Sequence, residues 1–166
     1  MKAAFREGDK MTEQQFEAYI KSYRATVFRL AYSMMKNRED ADDVTQDAFV
    51  RLYQSHEDFI TEENAKAWLI RVTINLCKDL LRCAWRKHRA DDMPERVCES
   101  REELHLLESV KRLKPESSAV IYLFYYEGYS AEEIARLRKT SSAAVRTRLT
   151  RARKELRKML SEEEDL

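Results

Sequence analysis

The sequence predicts an all-α protein made of two small helical domains joined by a charged linker. Three observations carry that prediction. The 166 residues hold only two Gly and two Pro, while 43% are hydrophobic and recur at helical spacing. The apolar periodicity stops over ADDMPERVCES, a mostly charged stretch that contains Pro94. Each side of that break carries one strongly basic amphipathic segment.

The first helix opens at Thr12, which forms a capping-box pattern with Gln15. Phe16, Tyr19, Ile20, Tyr23, Val27, Leu30 and Met34 then form one apolar stripe. Asn37 and Asp40 punctuate the chain before a second helix through Val44, Ala48, Phe49 and Leu52, whose polar side carries Asp42, Asp43, Gln46, Asp47 and Arg51. A polar loop is expected over His56 to Glu63. The basic helix Trp68 to Arg89 follows, with Arg71, Asn75, Lys78 and Arg82 on one face and Leu69, Val72, Leu76, Leu80 and Cys83 on another.

Residues 12–88 are thus expected to form one domain, 89–102 the linker and 103–160 the second domain. A flexible stretch of this length spans about 20 Å on an r.m.s. basis and about 40 Å when extended. At its end, Ser100 and Glu103 make a second capping-box pattern ahead of Leu104, Leu107, Val110 and Leu113. Pro115 suits the first turn of the next helix, and Gly128 is expected to cap its end. Ser130 with Glu133 opens a short helix carrying Ile134, Ala135 and Leu137. Arg138, Lys139 and Thr140 form a turn, and Ser141 or Ser142 caps a long basic helix with Val145, Leu149, Ala152, Leu156 and Leu160. Two helices joined by so short a turn, the second one basic, form the helix-turn-helix pattern.

The formal net charge is only +1, so the charges are informative by their segregation. From Asn37 to Glu63 nine acids oppose only Arg38 and Arg51, and from Ala65 to Arg89 seven bases oppose only Asp79. An acidic patch and two basic patches on a near-neutral chain fit a protein that meets both a basic protein surface and a polyanion. No apolar run reaches about 18 residues, the polar N-terminus lacks a signal-peptide core, and Cys77, Cys83 and Cys98 make no disulfide framework. A cytoplasmic location is expected.

In the helix-turn-helix, burying Val145, Leu149 and Ala152 turns Ser142, Ala143, Arg146, Thr147 and Thr150 outward. Arg146 has the reach to read guanine edges, and Ala143 permits close approach to a base. Arg148, Arg151, Arg153 and Lys154 suit phosphate contacts. A helical hairpin with a solvated charged face remains the alternative at this point. The Arg71, Asn75, Lys78 and Arg82 face is less specific and is equally well explained as a solvated surface. Trp68 has the ring to stack on an unpaired base and equally the spacing of a core residue. Cys83, His88, Cys98 and His105 fit no compact metal-ligand spacing. The sequence holds no nucleophile with its base, phosphate-cradling glycine loop or catalytic carboxylate pair, so no enzyme, cofactor or small-molecule substrate is expected.

Three segments in order, DADDVTQDAFVRLYQ, WLIRVTINLCKDLLRCAWRKHR and YSAEEIARLRKTSSAAVRTRLTRARKELRKML, resemble the extracytoplasmic-function sigma factors of bacterial RNA polymerase. The resemblance runs from about Gln14 to Leu160. It implies sigma region 2 followed by region 4, and a factor that binds core polymerase, reads −35 duplex and melts −10 DNA. On this basis Asp42, Asp43, Gln46, Asp47 and Phe49 would meet the β′ clamp helices. His56, Asn64, Trp68, Arg71, Asn75, Lys78 and Arg82 would contact the −10 element. Lys139, Ser141, Ser142, Ala143, Arg146, Thr147, Arg148, Thr150 and Arg151 would contact the −35 element. The resemblance also implies contact of region 4 with the β flap, a linker in the RNA exit path, and an anti-sigma partner that holds the factor at the inner membrane face. The chain departs from the family at Arg138-Lys139-Thr140, where a Leu-Gly-Ile-like triplet is common; this places two bases beside the DNA backbone. A stand-alone helix-turn-helix regulator and a degenerate sigma-like protein acting through protein contacts are the alternatives.

Overall fold

A computed structural model describes residues 11–55, 57, 59, 61–87 and 107–164. All regular structure among them is helical: α1 (Glu13–Met35), α2 (Arg38–Gln54), α3 (Glu62–Lys87), α4 (107–111), α5 (Pro115–Tyr125), α6 (Ala131–Arg138) and α7 (Ser142–Glu164). The expected linker, His88 and the Ser100–Glu103 capping pattern lie outside the described residues.

The local signals set the helix starts. Thr12 and Gln15 make the reciprocal capping box of α1, and the Asn37 side chain accepts from the Asp40 N–H at the start of α2. α3 begins at Glu62, inside the stretch expected as loop, because the Thr61 hydroxyl accepts from the Asn64 N–H at 3.2 Å. Pro115 occupies the first turn of α5. Gly128 adopts φ 72° but lies beyond the helix cap, which is Tyr126.

α1, α2 and α3 pack together around Val27, Leu30, Met34, Val44, Leu52, Leu69 and Ile70, all fully buried. Leu80 and Cys83, expected on the apolar face of α3, are exposed. In the second half α5 and α6 pack against α7, burying Tyr122, Leu123, Ile134, Val145, Leu149 and Ala152. The Ser118 hydroxyl donates to the Val110 carbonyl at 2.8 Å, joining α4 to α5.

The two domains touch one another. α1 packs along α5 and α3 touches α6, so the apolar clusters merge into one. Lys111 donates to the Tyr32 hydroxyl at 2.6 Å and lies 3.9 Å from that ring's centre, while Lys66 reaches Glu127 at 2.7 Å. Among the described residues no helix is long and apolar enough to cross a membrane, and no group of His, Cys, Asp or Glu is placed to hold a metal.

Candidate nucleic-acid and protein interfaces

The acidic face lies on α2. Asp43, Gln46 and Asp47 are exposed, and Asp42 is half-buried beside Arg38 at 3.5 Å. Phe49 does not belong to this surface. It is 7% exposed and meets Phe16 edge-on at 6.5 Å, because it falls on the stripe of α2 that faces α1. Val50 and Tyr53 continue the exposed face instead, at 51% and 52% exposure. Together with Glu13, Phe16, Glu17 and Ile20 of α1 they line an apolar groove of about 460 Å³ with an acidic rim. Sequence reasoning missed both, although they lie one and two turns beyond Gln46 at the same helical spacing.

On α3, Arg71, Asn75 and Arg82 are exposed, and Asn64 is exposed in the first turn. Trp68 is half-buried with its ring edge-on to Phe59 at 5.9 Å. His56 lies outside the described residues. Lys78 departs from the expected open face: it is half-buried and its Nζ lies 3.4 Å from Glu116 at the start of α5. Burial pushes its pKa below the usual lysine value, and the nearby Arg138, Arg148 and Arg82 push the same way.

The helix-turn-helix forms as α6 and α7. Ser130 and Glu133 make its capping box, and hydrogen bonds donated by Ser130, from its backbone N–H first and then its side chain, hold the Glu133 carboxyl below the usual value. α6 ends in a turn in which the Thr140 N–H donates to the Ala135 carbonyl at 2.9 Å and the Lys139 N–H to Arg136 at 3.3 Å. This is the Schellman closure, with Lys139 in the left-handed position at φ 52° where glycine is usual. Ser141 is the cap of α7, accepting from the Ala144 N–H at 3.1 Å.

Lys139, Ser141, Ala143, Arg146, Thr147, Thr150 and Arg151 are exposed, whereas Ser142 and Arg148 are half-buried. Arg146 pairs with Glu132 of α6. Arg153, grouped with the phosphate contacts, instead donates to the Tyr125 hydroxyl at 2.6 Å and lies over the Phe124 and Tyr125 rings.

Arg138 corrects the expectation of two bases at the DNA backbone. Its side chain is 6% exposed and turns inward to Glu116, donating to that residue's backbone carbonyl at 3.2 Å and pairing with its carboxylate. Burial, with Arg148 nearby, lowers its pKa to about 10. Only Lys139 of the pair faces solvent. Nothing in local spacing distinguishes Arg138 from its exposed neighbours; the partner that draws it in lies 22 residues away in sequence.

The faces therefore divide by charge. An acidic and partly apolar surface lies on α2 and α1, and two basic polar surfaces lie on α3 and α7. Residues 19–87 match the family described as Sigma-70 region 2, and residues 104–156 that described as Sigma-70, region 4. The chain is 30% identical over 167 residues to the ECF RNA polymerase sigma factor SigE of Mycolicibacterium smegmatis, spanning 93% of this chain and 65% of that protein, less than two thirds of its length. It is 29% identical over 150 residues to the RNA polymerase sigma factor SigV of Bacillus subtilis, spanning 87% of this chain and 90% of that one. Its fold is similar to that of CnrH, solved in complex with the cytosolic domain of CnrY, with a TM-score of 0.67, 29% identity and 90% of each chain covered.

Proposed function

The chain belongs to the extracytoplasmic-function sigma factors, and from that premise we propose that it directs promoter-specific initiation by bacterial RNA polymerase in the cytoplasm. Residues 12–88 act as region 2, 103–160 as region 4 and 89–102 as the linker between them. The observation that carries this reading is the order of the two matched regions on one chain, each presenting an exposed basic helix face.

The exposed Asp43, Gln46 and Asp47 dock on the basic β′ clamp helices of core polymerase, and Val50 and Tyr53 extend that contact. Such an interface needs a buried apolar centre as well as complementary charge, and the exposed pair supplies it. Region 4 also contacts the β flap. Arg71 and Asn75, with Lys78 and Arg82, engage the −10 element. Its opening needs no ATP, because capturing an unstacked base offsets the few kcal/mol of unpairing. Arg146 reads −35 base edges from the major groove, with Ala143 and Thr147 beside it, while Arg151 and Lys139 hold phosphates. The protein contributes no catalysis of its own.

CnrH was solved with the cytosolic domain of CnrY; a masking protein partner of that kind, including one tethered at the membrane, is part of the proposal for this chain. The test is run-off transcription by purified core polymerase on a library of promoter fragments, with and without the protein. Transcripts that appear only with the protein are expected. Operator binding by the protein alone with no transcripts would move the assignment to a stand-alone regulator, and silence in both assays with a compatible core would refute both.

A further inference from the structure

The two proposed DNA faces meet at one ion cluster. Glu116, in the first turn of α5, holds Lys78 of α3 at 3.4 Å and pairs with Arg138 of α6 through its other carboxylate oxygen. These three residues line a cleft of about 210 Å³ together with Val120, Val145 and Arg148. Glu116 is the lone carboxylate among the cleft's lining residues, facing three cations. The Nε of Arg138 is buried without a hydrogen-bond partner.

That arrangement conflicts with promoter engagement. Lys78 comes from the proposed −10 helix and Arg148 from the proposed −35 helix, yet they line the same cleft. The two promoter elements are centred about 25 base pairs apart, or about 85 Å of B-form axis at about 3.4 Å per pair. A body in which α3 and α7 share a cleft cannot set one face on each element. The contact has to part before both are engaged.

We propose that Glu116 is an intramolecular latch that closes region 4 onto the −10 helix of region 2 by occupying Lys78 in place of a nucleic-acid phosphate. It rests on the reading of α3 given under the proposed function. The two contacts of Glu116 differ in kind. Arg138 is buried and fixes the carboxylate in position, whereas the Lys78 side chain is 35% exposed and its pair is of the weak, screened sort that exchanges readily. The strong contact lies within the second domain and the weak one crosses between domains, so opening breaks the weak one. Lys66 with Glu127 and Lys111 with Tyr32 are further ties across the same interface, and they locate the closed state without engaging Arg71, Asn75 or Arg82. When the latch opens, Lys78 exchanges a carboxylate for a phosphate and loses no net pairing.

The test is single-molecule energy transfer in the free full-length protein, carrying Cys98→Ser and Ser161→Cys, with dyes on the exposed Cys83 of α3 and on residue 161 at the end of α7. Cys77 is buried and takes no dye. One dominant high-transfer population is expected. Glu116→Gln keeps the backbone acceptor for Arg138, removes the charge, and is expected to raise the low-transfer fraction about five-fold. Lys78→Gln leaves α5 untouched and is expected to do the same, with the double variant no more open than either single one. Unchanged transfer in both single variants overturns the latch. A second arm measures anisotropy with a randomised single-stranded DNA 20-mer on the wild type and Glu116→Gln. About five-fold tighter binding by the variant is expected. Opening without tighter binding leaves the closure by Glu116 standing, and overturns both the masking of Lys78 from phosphate and the −10 role of α3.

Discussion

Lys139→Gly is the sharpest stability test of the helix-turn-helix geometry. Lys139 is exposed, so its side chain contributes no packing, and its φ of 52° places it in the left-handed region. A residue with a Cβ pays roughly 1–2 kcal/mol to sit there. Glycine removes that strain and returns about 0.5–1 kcal/mol through the greater freedom of its unfolded chain. The two backbone hydrogen bonds of the turn, from Thr140 and Lys139, are unaffected. The net gain is about 0.5–1 kcal/mol, or about 1–4 °C in the thermal midpoint for a chain of this size. The charge is controlled by Lys139→Ala, which removes the ammonium and keeps the Cβ and should give no such gain. Gly128→Ala is the mirror experiment: its φ is 72° and no atom beyond its own chain neighbours lies within 4 Å of the added Cβ. It should therefore cost about 1 kcal/mol from conformation alone. Thermal unfolding by circular dichroism measures all three. An equal gain from Lys139→Ala and Lys139→Gly would refute the conformational account, and so would no gain from glycine.

Asp47→Arg reverses an exposed charge on α2 and should weaken core-polymerase binding about ten-fold, with stability within about 0.5 kcal/mol of the parent; competition binding against the parent protein checks it. Arg146→Ala should relax −35 sequence preference by about 1–3 kcal/mol, whereas Arg151→Ala should weaken all sequences alike and lower the salt slope by about one. Asn75→Ala should impair promoter opening more than closed-complex formation, read by permanganate footprinting beside gel shift. Glu127 gives a pH dependence. Burial works to raise its carboxyl, but the hydrogen bonds from Lys66 and Tyr122 outweigh that and set it below the usual value. A depressed folded pKa means stability present above the unfolded value of about 4.3 and lost as pH falls through the folded one. Glu127→Gln should flatten that acid limb of thermal midpoint against pH.

What the sequence by itself determined is what depends on neighbours a turn or two apart. The capping pairs Thr12–Gln15 and Ser130–Glu133 formed as their spacing requires, and Pro115 opened α5. The stripe through Val27, Leu30 and Met34 became core, and the Ile134, Val145 and Leu149 hairpin core closed a helix-turn-helix even without glycine at its turn. Periodicity and caps are short-range properties of the backbone, so one sequence suffices to read them.

Only the tertiary structure decided which side chains on a polar face are free. Arg138 and Lys139 are adjacent and alike in sequence, yet one is drawn inside by Glu116 and the other faces solvent. Lys78 shares its face with Arg71 and Asn75 but is taken by the second domain. Phe49 lies next to an acidic surface and points away from it, and the surface goes on through Val50 and Tyr53. Each of these turns on a partner far along the chain. A charge or ring is committed by whichever distant group lowers its free energy most, and helical spacing carries no record of that group.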